Sequence, residues 1–235
     1  MKTEGGSDGA KRRAGERAAA AVEDGDVVGL GTGSTAAHAI RAIGRAVDDG
    51  LAVRGIPTSF QSRQLALEVG IPISCLEAVD GIDLAIDGAD QIADDSDAPG
   101  YGALLKGGGA AHTREKMIDS TADRFVVVAD ASKLSGVLEK PVALEVIPDA
   151  RTIVADEVRT MGGEPTLRDA AHKDGPVVTD NGNLVLDCAF DEIDAPDELA
   201  TRLSSVPGVV EHGLFVGMAD AAYVGTDDGL EVREY

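Results

Sequence analysis

Three short segments of this 235-residue chain hold the residue types from which chemistry is built. Gly29-Leu-Gly-Thr-Gly-Ser-Thr35 follows a buried apolar run and opens a helical pattern. Its backbone N–H groups therefore converge at a helix N-terminus, a ready site for an anion, and Thr32, Ser34 and Thr35 add hydroxyl donors around Gly33. The segment lacks the Gly-Lys-Ser/Thr of a P-loop and matches GxGxxG poorly. A plain strand-to-helix turn with Ser34 or Thr35 as N-cap fits the local sequence as well.

Asp87-Gly88-Ala89-Asp90 sets two carboxylates just beyond a strand. Such a pair could move protons, hold a metal or cap a turn; no His or third carboxylate joins it at close spacing, which makes metal the weakest of the three. Leu104-Leu-Lys106-Gly107-Gly108-Gly109 is more specific. A lysine between two leucines and three glycines is neither a surface ion-pair residue nor a helix former, and the glycines let backbone approach a ligand closely. Lys106 reads as a cation aimed at an anionic group. Glu115 opens the next helix, where a carboxylate also suits the helix dipole, and Lys133 again follows a strand directly. Cradle and lysines suit a small phosphorylated ligand; the carboxylates suit proton transfer on a polyol.

Periodicity supplies the elements that must hold these groups. Helical spacing covers Lys11 to Glu23, Ala36 to Val47, Ser59 to Val69 and Ala110 to Thr121, interleaved with strand-like runs at Asp26 to Leu30, Leu51 to Ile56, Ile82 to Ile86 and Phe125 to Ala129. Alternation through glycine-rich turns predicts an α/β fold, a Rossmann-like, mostly parallel sheet with helices on both faces, whose ligand lies beyond the C-terminal strand ends. The second half predicts strand, helix, two strands, helix, strand: Val142 to Ile147, Ala150 to Met161, Glu164 to Arg168, Val177 to Cys188 with a turn at Asn181-Gly182, Pro196 to Ser205, and Val209 to Val216. That order is a split βαβ, a smaller ferredoxin-like α+β domain. The expected division is 1–136 with 217–235 against 137–216, the tail from Ala221 to Val232 returning to the first domain.

Composition narrows the partners. Forty-two acidic residues against 21 basic ones give a net charge of −21, the wrong sign for nucleic acid. The acids are dispersed and lysine is scarce, which is the pattern of a protein adapted to multimolar salt, where screening cuts charge repulsion to a few ångströms. Hydrophobic residues make up 43%, so the chain is globular, yet no run approaches the ~18 apolar residues of a membrane span. No signal peptide is expected from the N-terminal stretch, and a cytoplasmic setting follows. Cys75 and Cys188 read as small buried hydrophobes, and His38, His112, His172 and His212 show no ligand spacing.

Taken in order, GTGSTAAHAI, AIDGAD, LLKGGGAAHTREK, ADASK, LEVIP, VVTDNGN and PGVVEHGLF resemble ribose-5-phosphate isomerases of the A type across essentially the whole chain. The glycine motif is shared with CoA transferases, amino-sugar phosphate deaminases and sugar-sensing domains; KGGGAA-x-TREK together with DGAD is far more specific. The resemblance implies an aldose–ketose isomerase that needs no metal or nucleotide cofactor. By motif, Glu115 would be the base, Asp87 would assist ring opening and hydroxyl proton transfer with Asp90 beside it, and Lys106 would stabilise the enediolate oxygen. Thr32 to Thr35, Gly88, Ala89, Gly107 to Gly109 and Lys133 would line the substrate site. A homodimer or homotetramer is implied too. A deaminase would lack the KGGG–TREK pair. A sugar-phosphate sensor would need a DNA-binding module, for which the roughly two dozen residues ahead of the first strand are too few. A CoA transferase would carry its glutamate elsewhere. Two departures stand out: Gln91 occupies a position where the family often has Glu, and the acidic stretch 94–102 reads as a surface insertion. The whole assignment requires the Glu115 side chain to face inward, toward Lys106 and the aspartates.

Overall fold

The computed structural model describes residues 6–98 and 100–235; the first five residues of the N-terminal stretch and Pro99, inside the acidic stretch, lie outside the described residues. In chain order the elements are α1 (Asp8–Ala19), β1 (Val27–Leu30), α2 (Ser34–Asp48), β2 (Arg54–Pro57), α3 (Phe60–Glu68), β3 (Leu84–Gly88), β4 (Gln91–Ala93), β5 (Leu104–Leu105), α4 (His112–Asp119) and β6 (Phe125–Asp130). The second half continues with β7 (Leu134–Ser135), β8 (Val142–Val146), α5 (Arg151–Thr160), β9 (Glu164–Leu167), β10 (Leu184–Ala189), α6 (Pro196–Ser204), β11 (Val209–His212), β12 (Leu214–Phe215), β13 (Ala221–Gly225) and β14 (Leu230–Glu234). Of the described residues, those up to Ala89 with Arg114–Leu134 and Met218–Tyr235 make one compact unit, and Asp90–Thr113 with Ser135–Gly217 make another.

The first unit is built on a six-stranded sheet, β14-β13-β6-β3-β1-β2, parallel except for the antiparallel edge strand β14. Strands β1, β6 and β13 are buried at every position, which is why their sequences are nearly unbroken apolar runs. On one face Val28, Leu30 and Ile86 pack against Ala14 and Ala18 of α1 and Ile40 and Ile43 of α2. On the other, Val27, Ile56 and Ile82 pack against Ile118 of α4. Gly29 makes the space Ile118 occupies, since a Cβ there would lie 2.7 Å from Ile118 Cγ2. The tail returns to this sheet as expected, with β13 beside β6. Arg13 of α1 ties down the β13–β14 turn by donating to the carbonyls of Thr226 and Gly229.

The second unit contains the split βαβ. Its four-stranded sheet runs β11-β8-β10-β9, antiparallel throughout, with α5 and α6 contributing Val154, Val158 and Leu203 to one core with Leu144, Leu186 and Cys188. The Asn181-Gly182 turn forms where expected, Gly182 at φ +84° donating to Thr179 O, but β10 starts only at Leu184. The expected strand Val209 to Val216 breaks at Gly213 into β11 and β12. Gly213 donates to Ala143 O and accepts from Lys106 N, and a Cβ there would stand 2.2 Å from Lys106 O. The chain division also differs from expectation. Residues 90–113, expected in the first domain, belong to the second unit, because β4 and β5 pair with β12 and not with the parallel sheet.

Ile118 seats α4 on the first unit. Ile118→Ala should cost about 2–4 kcal/mol, read as a lower urea midpoint with an unchanged slope.

Candidate active site

In the first unit the predicted groups sit at neighbouring C-terminal strand ends. Thr32 N and Gly88 N both donate to Asp87 Oδ1, at 2.9 and 2.6 Å, and Asp87 is 0% exposed. Gly31 is what permits this: a Cβ there would lie 2.2 Å from the same oxygen. Thr32 Oγ1 donates to Ser59 Oγ at 2.6 Å and lies 2.8 Å from Thr58 Oγ1, so two hydroxyls beyond β2 join the cradle. Sequence reading missed Thr58 and Ser59. Their signal was present, because a Ser directly after a strand and before a helical pattern is an N-cap, and Ser59 caps α3.

The N-cap of α2 is Gly33, at φ +123°, not Ser34 or Thr35. No side chain caps this helix, so its first amides keep their donors directed at the loop. Ser34 is exposed and Thr35 buried in the first helical turn. Lys133 closes the short turn Ala131–Lys133 after β6, one strand over from β3, where Asp130 accepts from Ser132 N.

Helix α4 brings Glu115 to this edge. Arg114 Nη2 donates to Pro57 O at the end of β2 (3.3 Å), while Ile118 lies against Gly29 in mid-strand. The helix therefore runs antiparallel to the strands with its first turn at their C-terminal ends. Glu115 lies one turn before Ile118 on the same helix face, and Asp87 alternates with Ala85 onto the sheet face that Ile118 covers. Glu115 is 4% exposed, so its side chain is not turned out into solvent.

In the second unit, Asp90 and the glycine loop are bonded directly. Asp90 Oδ2 accepts from Gly108 N at 2.7 Å, and a Cβ on Gly108 would come within 2.6 Å of Asp90 Oδ1. Gly107 takes φ +107° and Ala110 φ +58°, which folds the loop tightly enough for Ala110 N to reach Gly107 O, leaving Gly109 exposed at its tip. Lys106 is 3% exposed, with Nζ 5.3 Å from the centroid of the Phe215 ring. Lys106, Gly108 and Asp90 line a cavity of about 460 Å³ with Lys140, Arg168 and Asp187. Arg168 bridges both carboxylate oxygens of Asp187 and donates to Gly107 O at 2.7 Å.

Gln91, whose role the motif comparison left open, is 3% exposed and accepts from Glu139 N (2.9 Å) and Lys140 N (3.0 Å), while Lys140 Nζ donates to Asp90 O at 2.6 Å. A neutral carbonyl oxygen does this work without adding a buried charge next to Asp90. Neither Arg168 nor Lys140 had a local sequence signal, because Arg168 reaches Gly107 and Lys140 reaches Asp90 across tens of residues.

Glu145 is fully buried. Burial pushes its carboxyl up, but hydrogen bonds from Thr113, Asn183, Asn181 and Thr179 outweigh that and hold it below its ordinary value. Cys188 is buried and its thiol is pushed up to about 12 by burial and then by the Asp187 charge, whereas Cys75 is exposed, against expectation. Among the described residues no group of three His, Cys, Asp or Glu is placed to hold a metal ion, and no helix is long and apolar enough to cross a membrane.

Residues 54–229 match the family ribose 5-phosphate isomerase A (phosphoriboisomerase A). The ribose-5-phosphate isomerase A of Halorubrum lacusprofundi is 64% identical over 99% of this chain and 99% of its own length; that of Haloarcula marismortui is 64% identical over 98% and 97%. A structure of ribose 5-phosphate isomerase A from Methanocaldococcus jannaschii superposes with a TM-score of 0.90 at 42% identity, over 96% of this chain and 98% of that one. A D-ribose-5-phosphate isomerase in complex with phospho-erythronic acid superposes with a TM-score of 0.91 at 41% identity, over the same shares.

A carboxyl held below its ordinary value stabilises the fold above that value, and the contribution is lost as pH falls through its folded-state pKa. The gap in melting temperature between the native chain and Glu145→Gln should therefore be full near neutral pH and shrink as acidification passes below the ordinary carboxylate range. A gap that widened on acidification would contradict the assignment.

Proposed function

The chain belongs to the ribose 5-phosphate isomerase A family, an isomerase that interconverts ribose 5-phosphate and ribulose 5-phosphate, and we propose that Glu115, Asp87 and Lys106 carry the reaction. The observation that supports this most is the burial of Glu115 in the first turn of α4, over the sheet face and strand ends that present Asp87.

The chemistry requires little more than one base and one electrophile. Asp87 assists opening of the sugar ring. Glu115 takes the proton from C2 of the open aldose; the C2–H electron pair forms the C1–C2 double bond, and the carbonyl electrons move onto O1. Lys106 sets a preorganised positive charge where that enediolate charge develops. Asp87, with Asp90 beside it, passes the hydroxyl proton from O2 to O1, and Glu115 returns its proton to C1, leaving the ketone at C2. Gly88, Ala89 and Gly107 to Gly109 supply close backbone, and Thr32 to Thr35 with Lys133 suit the phosphate: uncapped helix amides, hydroxyls and a cation favour a dianion. Family membership also supports a cytoplasmic homodimer or homotetramer that binds neither nucleic acid nor membrane; sedimentation in multimolar KCl tests the assembly.

Removing a general base costs on the order of 10²–10⁴ in rate. Glu115→Gln should lose at least that in kcat while calorimetry still finds ribose 5-phosphate bound; a rate near the native one would remove Glu115 from the role. In a coupled assay run with chelator from low to multimolar KCl, conversion should persist with chelator and rise with salt. Loss of conversion on adding chelator would overturn the metal-free mechanism.

A further inference from the structure

Outside the residues proposed for the reaction, Glu145 on β8 accepts a dense set of hydrogen bonds. Its carboxylate accepts from Thr113 Oγ1 (2.5 Å), Thr179 Oγ1 (2.9 Å), Asn183 Nδ2 (2.8 Å) and Asn181 Nδ2 (3.0 Å). Its backbone amide donates to His112 Nε2 at 3.1 Å. Nε2 is the acceptor in that bond, and Glu211 O stands 3.4 Å from the same nitrogen. The Nδ1 edge lies against the glycine loop, since a Cβ on Gly107 would come within 3.0 Å of it.

His112 and Thr113 are the first two residues of α4, and Glu115 follows in the same turn. An eight-residue helix has little stability of its own, and its ends fray unless tertiary contacts hold them. Both opening residues are held by Glu145, one through the carboxylate and one through the amide.

We propose that Glu145 is a positioning residue for the isomerisation: through Thr113 and His112 it fixes the rotation of the first turn of α4 and so the direction in which Glu115 is presented. This rests on Glu115 being the base. A helix turns 100° per residue, so a small slip of the first turn swings Glu115 away from the proton it must take. Packing alone would be served by a neutral side chain; a buried carboxylate is costly unless donors surround it, and here four side chains from two segments of the chain do so. The same hub accounts for Asn181 and Asn183, which the reaction itself does not use.

The test compares Thr113→Val, which removes the hydroxyl, with Thr113→Ser, which keeps it. Thr113→Val should lower kcat about 10–100-fold with KM within about threefold, while Thr113→Ser stays within about twofold of the native kcat. Native-like kcat in Thr113→Val, or equal losses in both variants, would overturn the proposal. Should Thr113→Val fold poorly, Glu145→Gln gives the same kcat-only loss, and the double variant should be no slower than the worse single; losses that multiply would overturn it. An inactive Glu115→Gln alongside a native-like Thr113→Val sinks this inference alone, whereas an active Glu115→Gln sinks the base assignment beneath it.

Discussion

A carboxylate or ammonium taken out of water costs several kcal/mol unless donors or opposite charge replace its hydration, and this chain buries Asp87, Glu115, Glu145 and Lys106 to below 5% exposure. A protein with a net charge of −21 has every electrostatic reason to leave carboxylates outside. Each buried one therefore needs a local arrangement that holds it, and these arrangements set much of the fold around the site. Asp87 is held by two backbone amides, Glu145 by four side chains, and Lys106 lies over an aromatic ring.

Close backbone approach is how the chain meets that demand. Gly31 lets β1 pass beside the Asp87 carboxylate, Gly108 lets the loop reach Asp90, and Gly213 lets β12 leave the antiparallel sheet against Lys106. At each of these positions a Cβ would meet its neighbour at less than 3 Å, so the glycines are steric requirements of the charged groups and not merely flexible joints. The helices then do the aiming. The uncapped start of α2 leaves amides directed at the cradle, and α4, running antiparallel to the strands, delivers Glu115 to the same end of the same sheet.

Much of this was legible in the sequence because its determinants are local. Strand-like apolar runs and the β-α-β-β-α-β order appeared close to where periodicity placed them, Gly50, Gly70 and Gly162 stand just beyond α2, α3 and α5, and the motif segments hold the residues proposed for the reaction. What escaped was set by pairing across distance. Residues 90–113 read as part of the parallel-sheet domain, but two-residue strands such as Leu104–Leu105 have no periodicity of their own, and their pairing with Leu214–Phe215 decides where the segment belongs. The break at Gly213 was hidden inside an apolar run. Arg168 and Glu145 looked like ordinary strand residues; only the fold brings one to Gly107 and the other to Thr113. Cys75 was misjudged because composition says nothing of a loop's exposure.

The central claim is that Glu115 breaks the C2–H bond, and isotopic labelling at C2 reads that step without relying on overall turnover. With ribose 5-phosphate deuterated at C2, the native protein should release or transfer the label with a primary isotope effect, and Glu115→Gln should leave the C2–D bond intact while substrate stays bound. Cleavage of that bond by Glu115→Gln at the native rate would contradict the account.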